Sequence, residues 1–221
     1  MAISLTASGL VYPDGSTQAD KFDTSDDKGA LVATNYFTAA SSTWTKAAGV
    51  NYIRVLVQGG GGGGVGHGEC GGAGGFAEKW IDVSTWATGT TVAVTVGTAG
   101  AATTYNNQAA SGTSSSFGAY ATATGGYGGN RNYNHTGGHG GLGSGGDINL
   151  YGGGGGGHNG QAGAKGGNSY FGGGAGSSHH NVPVHYYESH VPYGAGGTGS
   201  WTSHTRGSNG QPGIVIVYNY K

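Results

Sequence analysis

The sequence is short of charge, of cysteine and of long apolar runs, and each shortage excludes a class of protein. Only 9% of its 221 residues are charged, with 9 Lys and Arg against 10 Asp and Glu. A nucleic-acid surface built on many basic side chains is therefore not expected. The single cysteine, Cys70, cannot form a disulfide within the chain. No apolar run approaches the roughly 18 residues of a membrane-spanning helix, and residues 1–5 do not resemble a signal peptide. We expect no membrane insertion.

Glycine is the most abundant residue, at 53 of 221, and it includes two runs of six at residues 59–64 and 152–157. Such a composition without a fixed period is typical of disorder, but here the glycine blocks alternate with segments that predict strands. Ordering glycine costs roughly 0.5–1 kcal/mol more than ordering alanine. Extended glycine strands packed side by side offset this cost with backbone hydrogen bonds of roughly 1 kcal/mol each. We therefore predict a bundle of parallel and antiparallel polyglycine-II helices.

About seven segments read as strands, and no segment shows helical periodicity with caps. Residues 52–58 alternate, with Ile53, Val55 and Val57 on one face, and residues 90–96 alternate in the same way. The remaining candidates are residues 31–37, 76–83, 114–124 and 213–220, together with a short run before a Pro-Asp-Gly turn at residues 13–15. The predicted fold class is all-β: a sandwich-like strand framework with an inserted polyglycine-II bundle and essentially no α-helix.

Six motifs in order resemble the glycine-rich domain of phage tail-fibre proteins, over most of residues 36–220. They are Trp44-Thr-Lys-Ala-Ala-Gly-Val50 leading into Ile53-Arg-Val-Leu-Val57, Gly75-Phe-Ala-Glu-Lys-Trp-Ile-Asp-Val83, residues 91–97, Ser115-Ser-Phe-Gly118, Gly145-Gly-Asp-Ile-Asn-Leu150 and Gln211-Pro-Gly-Ile-Val-Ile-Val-Tyr218. Residues 10–18 are similar to a turn motif of phage fibre proteins. The resemblance implies a rigid polyglycine platform for variable loops that recognise a bacterial surface. No match to the fibre-attachment region of such adhesins is present.

The resemblance also implies an organisation and a set of partners. Residues 1–29 would be an N-terminal attachment segment, and residues 30–221 a receptor-binding domain with loops at about 98–112, 127–139 and 177–206. The expected location is the virion, at the tip of a tail fibre. The expected partners are a bacterial polysaccharide or outer-membrane protein, between which the sequence does not choose, and other tail-fibre or baseplate proteins. The fibre-like N-terminal segment favours a homotrimer over a monomer.

The three loops are rich in aromatic, histidine and asparagine residues, which supply contact area and adaptable hydrogen bonds in recognition surfaces. An alternative is that these rings only order the loops by packing on one another. The candidate receptor-binding residues are Tyr105, Asn107, Tyr127, Asn130, Arg131, Tyr133, His135, His179, His180, Tyr186, Tyr187, His190, Tyr193, Trp201 and His204.

Other chemistries have weaker support in the sequence. His67 with Cys70, and His135 with His139, have spacings that zinc sites use, but they lie in glycine-rich loops and not on a helix, so no metal or cofactor is predicted. Glu69, Asp82 and Asp147 are too scattered to indicate a glycosidase pair, and an enzyme is not expected. Three alternatives to an adhesin stay open: a structural fibre spacer, an ice-binding polyglycine protein and a depolymerase.

Overall fold

The computed structural model describes residues 29–66, 68–104, 107–130, 136–157, 164–176, 191–200 and 206–221, and the backbone of three short strands nearer the N-terminus. Those strands are β1 (Ser4–Thr6), β2 (Gly9–Val11) and β3 (Thr17–Gln18). They form an antiparallel sheet of their own in the order β1-β2-β3. The predicted turn at residues 13–15 lies outside the described residues.

Ten further strands form two five-stranded antiparallel sheets that pack as a sandwich. The first sheet has the order β12-β7-β6-β13-β4 and the second the order β11-β10-β9-β8-β5. Their bounds are β4 (Leu31–Phe37), β5 (Ser41–Thr45), β6 (Tyr52–Gln58), β7 (Phe76–Asp82), β8 (Thr91–Thr95), β9 (Ser115–Phe117), β10 (Ala121–Ala123), β11 (Gly143–Ser144), β12 (Ile148–Leu150) and β13 (Ile214–Tyr220). The all-β prediction is confirmed: the described residues contain no α-helix, and accordingly none that could span a membrane.

The alternation predicted for the long strands is confirmed, because their apolar faces meet between the two sheets. Ile53, Val55 and Val57 of β6 are fully buried, as is Val94 of β8. One predicted strand is wrong. Residues 114–124 form the hairpin of β9 and β10, which reverses at Gly118 with a φ of 50°. The strands β5, β11 and β12 are not among the predicted ones. β5 and β11 have few apolar residues, and β12 has only three residues, too few to show an alternation.

A polar group links the two sheets inside this core. Asn219 of β13 accepts a hydrogen bond at Oδ1 from the indole Nε1 of Trp44, at 3.0 Å. Its amide nitrogen donates to Asn35 Oδ1 at 2.9 Å and to the carbonyl of Ala33 at 3.1 Å. Because Trp44 lies on the second sheet and the other groups on the first, the side chain of Asn219 joins the two sheets by hydrogen bonds.

A second apolar cluster covers part of the outer face of the first sheet. It contains Leu56, Phe76, Ile214 and Ile216, and the turn at residues 169–172 packs onto it. Tyr170 stacks on Phe76 with ring centroids 3.7 Å apart. This contact fixes the glycine bundle, to which the turn belongs, against the sheet.

The glycine bundle continues from the sandwich and is built around residues 59–66. The N–H groups of Gly59 and Gly62 donate to residues 75 and 72, those of Gly60 and Gly63 to residues 113 and 110, and those of Gly61 and Gly64 to residues 211 and 208, at 2.8–3.0 Å. The partner therefore changes with a period of three, which is the three residues per turn of polyglycine II. The predicted helices of this type are confirmed.

The carbonyls of the same central strand bond to three other segments. Those of Gly60 and Gly63 accept from residues 126 and 129, those of Gly61 and Gly64 from 100 and 103, and those of Gly62 and Val65 from 197 and 200. Both parallel and antiparallel neighbours occur. The central strand is thus surrounded by extended backbone on every side, and each of its glycines is buried.

The second run of six glycines has a different position. Residues 152–157 donate to one segment at residues 138 and 141 and to a second at residues 165 and 168, and they accept hydrogen bonds from residues 70 and 73. Gly154 is exposed, and a Cβ built on it would have its nearest neighbour 3.7 Å away. This run is an outer strand of the bundle, whereas the first run is its axis.

Candidate functional site

The bundle has one end at the sandwich and another, here called the far end, at Val65, Gly66, Thr103 and Ser200. Gly66 N–H donates to the carbonyl of Thr103 at 2.9 Å, and Ser200 N–H donates to that of Val65 at 3.1 Å. Residues 59–66 run away from β6, so these contacts lie at the point most distant from the sandwich along that strand. The far end therefore collects segments that are well separated in sequence.

All three predicted recognition loops have described flanking residues at this far end. Asn130 is bridged to Gln108 on one side and to Thr136 on the other. Gly129 N–H donates to the carbonyl of Gly63 at 3.0 Å, which sets the level of this group along the axis. Ser200 lies at the level of Val65, and residue 207 bonds to Thr103. The segments 105–106, 131–135 and 201–205 each connect residues that lie at this end.

The outer strands of the bundle, which include residues 152–157, also reach the far end. Gly156 accepts a hydrogen bond from Cys70 N–H and donates to the carbonyl of Lys165, both at 2.9 Å. Because Glu69 in turn bonds to Val65, residues 157 and 164 flank segment 158–163 near the far end. Chain reversals between bundle strands thus concentrate there, while the strands themselves are held by backbone bonds.

Of the predicted receptor-binding residues, four lie among the described ones. Asn107 is exposed and Asn130 is half-buried, and the bridge between Gln108 and Asn130 brings these two segments together at the far end. Tyr127 lies midway along the bundle, where its carbonyl accepts from Gly72, and its side chain is 57% exposed.

The fourth residue, Tyr193, is in a different place. Its neighbour Gly194 packs on the side chain of Gln58, the last residue of β6, and bonds to Pro212. Tyr193 therefore lies at the sandwich end of the bundle, away from Asn107 and Asn130. The other predicted residues lie outside the described residues: Tyr105, Arg131, Tyr133, His135, His179, His180, Tyr186, Tyr187, His190, Trp201 and His204.

Sequence reasoning missed the residues that anchor segment 201–205. Arg206 donates from Nε to the carbonyl of Ala102 at 2.9 Å and from Nη2 to Asn209 Oδ1 at 3.3 Å. Ala102 N–H donates to the same Asn209 oxygen at 2.8 Å. The Arg206 guanidinium thereby joins the backbone that begins at residue 206 to the bundle strand 97–103. No local pattern marks these residues, because the partners are about a hundred positions apart.

Cys70 is a buried structural residue in the described part of the far end. Its Sγ accepts a hydrogen bond from Gly199 N–H at 3.1 Å, and its thiol donates to the carbonyl of Gly68 at 3.4 Å. Burial raises the pKa of the Cys70 thiol above its ordinary value. The described residues contain no group of three metal-ligating side chains; His67 and His135 lie outside them.

We expect Cys70 to resist alkylation in the folded protein, because a buried thiol with a raised pKa holds little thiolate. Iodoacetamide at mildly alkaline pH should label it at least about a hundredfold more slowly than in the urea-unfolded chain, which corresponds to an opening free energy of roughly 3 kcal/mol. Mass spectrometry measures the rate. Equal rates in both states would show that the far end opens freely.

The three carboxylates considered for a glycosidase pair have separate structural roles. Asp147 accepts from Trp80 N–H at 2.8 Å and from Lys79 Nζ at 2.9 Å, and these bonds lower the pKa of its carboxyl group. Asp82 caps the N–H of Ser84, also with a lowered pKa. Glu69 is buried in the bundle. These three groups therefore do not form a carboxylate pair.

The architecture defines a class of protein: an antiparallel β-sandwich that continues into a polyglycine-II bundle. The chain belongs to the glycine-rich domain family, whose model matches residues 37–220. The match begins at the last residue of β4 and spans the rest of the sandwich and the whole bundle. Among curated proteins, none matches the chain.

Proposed function

We propose that the protein is a phage tail-fibre adhesin that recognises a bacterial surface receptor with the segments at the far end of its bundle. The observation that carries the proposal is the convergence there of the residues flanking segments 105–106, 131–135 and 201–205. Those segments contain Tyr105, Tyr133 and Trp201, whose ring types dominate recognition surfaces. The motif resemblance to phage fibre proteins supports the same role.

The scaffold suits this role because its cohesion does not depend on the loop sequences. Each central glycine bonds through its own backbone to other bundle strands, and these bonds involve no loop side chain. Loop residues can then change without loss of core packing. In this proposal residues 1–29 attach the domain to the fibre, the protein is part of the virion, and the receptor is a polysaccharide or an outer-membrane protein.

Adsorption competition tests the proposal. Host cells are incubated with the purified protein before challenge by the phage whose fibre carries it, and we expect the protein to block adsorption. Tyr105→Ala, Tyr133→Ala and Trp201→Ala should each weaken this block by about tenfold or more, as central aromatic contacts do in interfaces. Tyr151→Ala is the matched control, since Tyr151 is 76% exposed but lies beside β12 at the sandwich.

Circular dichroism and thermal melting establish that each variant is folded. If the wild-type protein does not block adsorption, the adhesin proposal is wrong and a structural spacer is favoured. If it blocks adsorption but all three loop variants do so equally well, the receptor surface lies elsewhere on the molecule.

A further inference from the structure

An open pocket of about 430 Å³ lies on the sandwich, at the end opposite to the glycine bundle. Its lining includes Trp86, Thr90, Thr91, Ala93, Gly118 and Tyr120. Strand β7 leaves the bundle and β8 returns to it, so their connection, which carries Trp86 and Thr90, lies at the opposite end. The turn between β9 and β10, which carries Gly118 and Tyr120, lies there for the same reason. The volume of the pocket is within the range of about 300–1,000 Å³ typical of small-molecule sites.

The two aromatic rings of the pocket are held in place by the core between the sheets. Trp86 and Tyr120 have ring centroids 5.6 Å apart and planes inclined by 37°. Trp86 makes an edge-to-face contact with Trp44 at 6.4 Å, and Tyr120 packs on Phe117 at 6.2 Å. Both supporting residues are buried. A ligand would therefore meet rings whose positions are already set, which lowers the entropic cost of binding.

Small residues leave the space beside these rings open. Gly118 has a positive φ and no room for a side chain, since a Cβ would lie 2.9 Å from Val92 Cγ1. Ala93 is exposed on the outer face of β8 and adds only a methyl group. The pocket is thus a consequence of the tight β9–β10 turn beside a small residue on the neighbouring strand.

The polar groups of the pocket are uncharged. No acidic or basic side chain is among the described residues that line it. The hydroxyl of Thr90 donates to the carbonyl of Ala87 at 2.7 Å, which leaves its oxygen lone pairs to accept from a ligand. Thr91 is exposed and its hydroxyl can both donate and accept. A charged ligand would lose hydration here without gaining a partner of opposite charge.

We propose that this pocket binds a neutral saccharide unit. A pyranose ring has an apolar C–H face, which packs on the rings of Trp86 and Tyr120, and a rim of hydroxyls, which bond to Thr90 and Thr91. This site is at the opposite end of the molecule from the proposed receptor surface and does not depend on it. The protein would then have two binding sites separated by the length of the bundle.

The test measures binding of methyl glucoside, methyl galactoside and methyl N-acetylglucosaminide to the full chain, by saturation-transfer NMR and tryptophan fluorescence. At least one should bind saturably, and more tightly than methyl glucuronide, whose carboxylate finds no partner. Ala93→Arg fills the pocket and should weaken binding at least tenfold, or about 1.4 kcal/mol. Thr95→Arg is the matched control, because Thr95 is exposed two residues along β8 on the same face but does not line the pocket.

Tyr120→Ala provides a second, independent variant that removes one ring and should weaken binding to a similar extent. The proposal is overturned if none of the three neutral glycosides binds saturably, or if Ala93→Arg binds as well as Thr95→Arg. It is also overturned if a proline-rich peptide binds the pocket and the glycosides do not. Adsorption by the far-end variants is measured separately, so failure of one proposal is distinguishable from failure of the other.

Discussion

Gly61→Ala should prevent the bundle from assembling, and it is the substitution with the largest expected effect on folding. A Cβ at this position would overlap the carbonyl oxygen of Ala195 and lie 2.5 Å from its carbonyl carbon. Both atoms belong to backbone that is itself bonded to Gln211, so the neighbour cannot move aside as a side chain would. Separating the strands breaks several hydrogen bonds at roughly 1 kcal/mol each. We expect a loss of more than about 4 kcal/mol in unfolding free energy.

Gly154→Ala is the matched control, because Gly154 lies in the other six-glycine run but is exposed, with open space around its Cβ position. This variant should be neutral or stabilised by a few tenths of a kcal/mol, since alanine reduces the entropy of the unfolded chain. Urea unfolding followed by circular dichroism measures both. Equal stability of the two variants would contradict the assignment of residues 59–64 as the packed axis.

Asn219→Leu should destabilise the sandwich by about 1–3 kcal/mol, which is the second largest expected effect on stability. The change keeps a similar volume but removes the acceptor for Trp44 Nε1 and the donor to Asn35 Oδ1. The indole N–H of Trp44 would then be buried without a hydrogen bond, which costs about 1–3 kcal/mol, whereas Asn35 is exposed and can bond to water instead. Urea unfolding monitored by tryptophan fluorescence measures the loss.

Two comparisons separate this effect from a general sensitivity to changes at asparagine. Asn149→Ala removes an exposed amide that only caps Gly146 in a turn, so we expect a loss below about 1 kcal/mol. Trp44→Phe removes the indole N–H as well as core packing, so the double variant with Asn219→Leu should lose less stability than the sum of the two single losses. A loss in the double variant that equals or exceeds the sum of the two single losses would show that the bond between Trp44 and Asn219 contributes little.

Strand prediction succeeded where burial follows a local pattern. Val92 and Val94 alternate with exposed residues in β8, and both sides of that pattern are visible in a few consecutive residues. It failed at β9 and β10, where the reversal depends on one glycine with positive φ among many glycines that lack it. The edge strand β12 is not predicted either, because its three residues, Ile148-Asn-Leu150, are too few to establish a period of two.

Site prediction from sequence identified residue types and not their grouping. Asn107 and Asn130 were both named, and the bridge at Gln108 explains why they are close. Tyr193 belongs to the same aromatic-rich stretch of the sequence, but its neighbour Gly194 packs on Gln58, so Tyr193 lies at the other end of the bundle. The sequence does not predict the pocket at Trp86, since its lining comes from strand β8 and from two separate connections of the sandwich.

The sequence by itself determined the two kinds of structure in this protein. Strands with alternating apolar residues must bury those residues between two sheets, and glycine blocks can be ordered only in a bundle of closely packed backbones. Both follow from local composition and period. Only the tertiary structure decided that residues 59–64 are the axis while 152–157 are an outer strand. The two runs are identical in sequence, so their difference comes entirely from which distant backbones surround them, and the same long-range packing decides which loops meet at the far end.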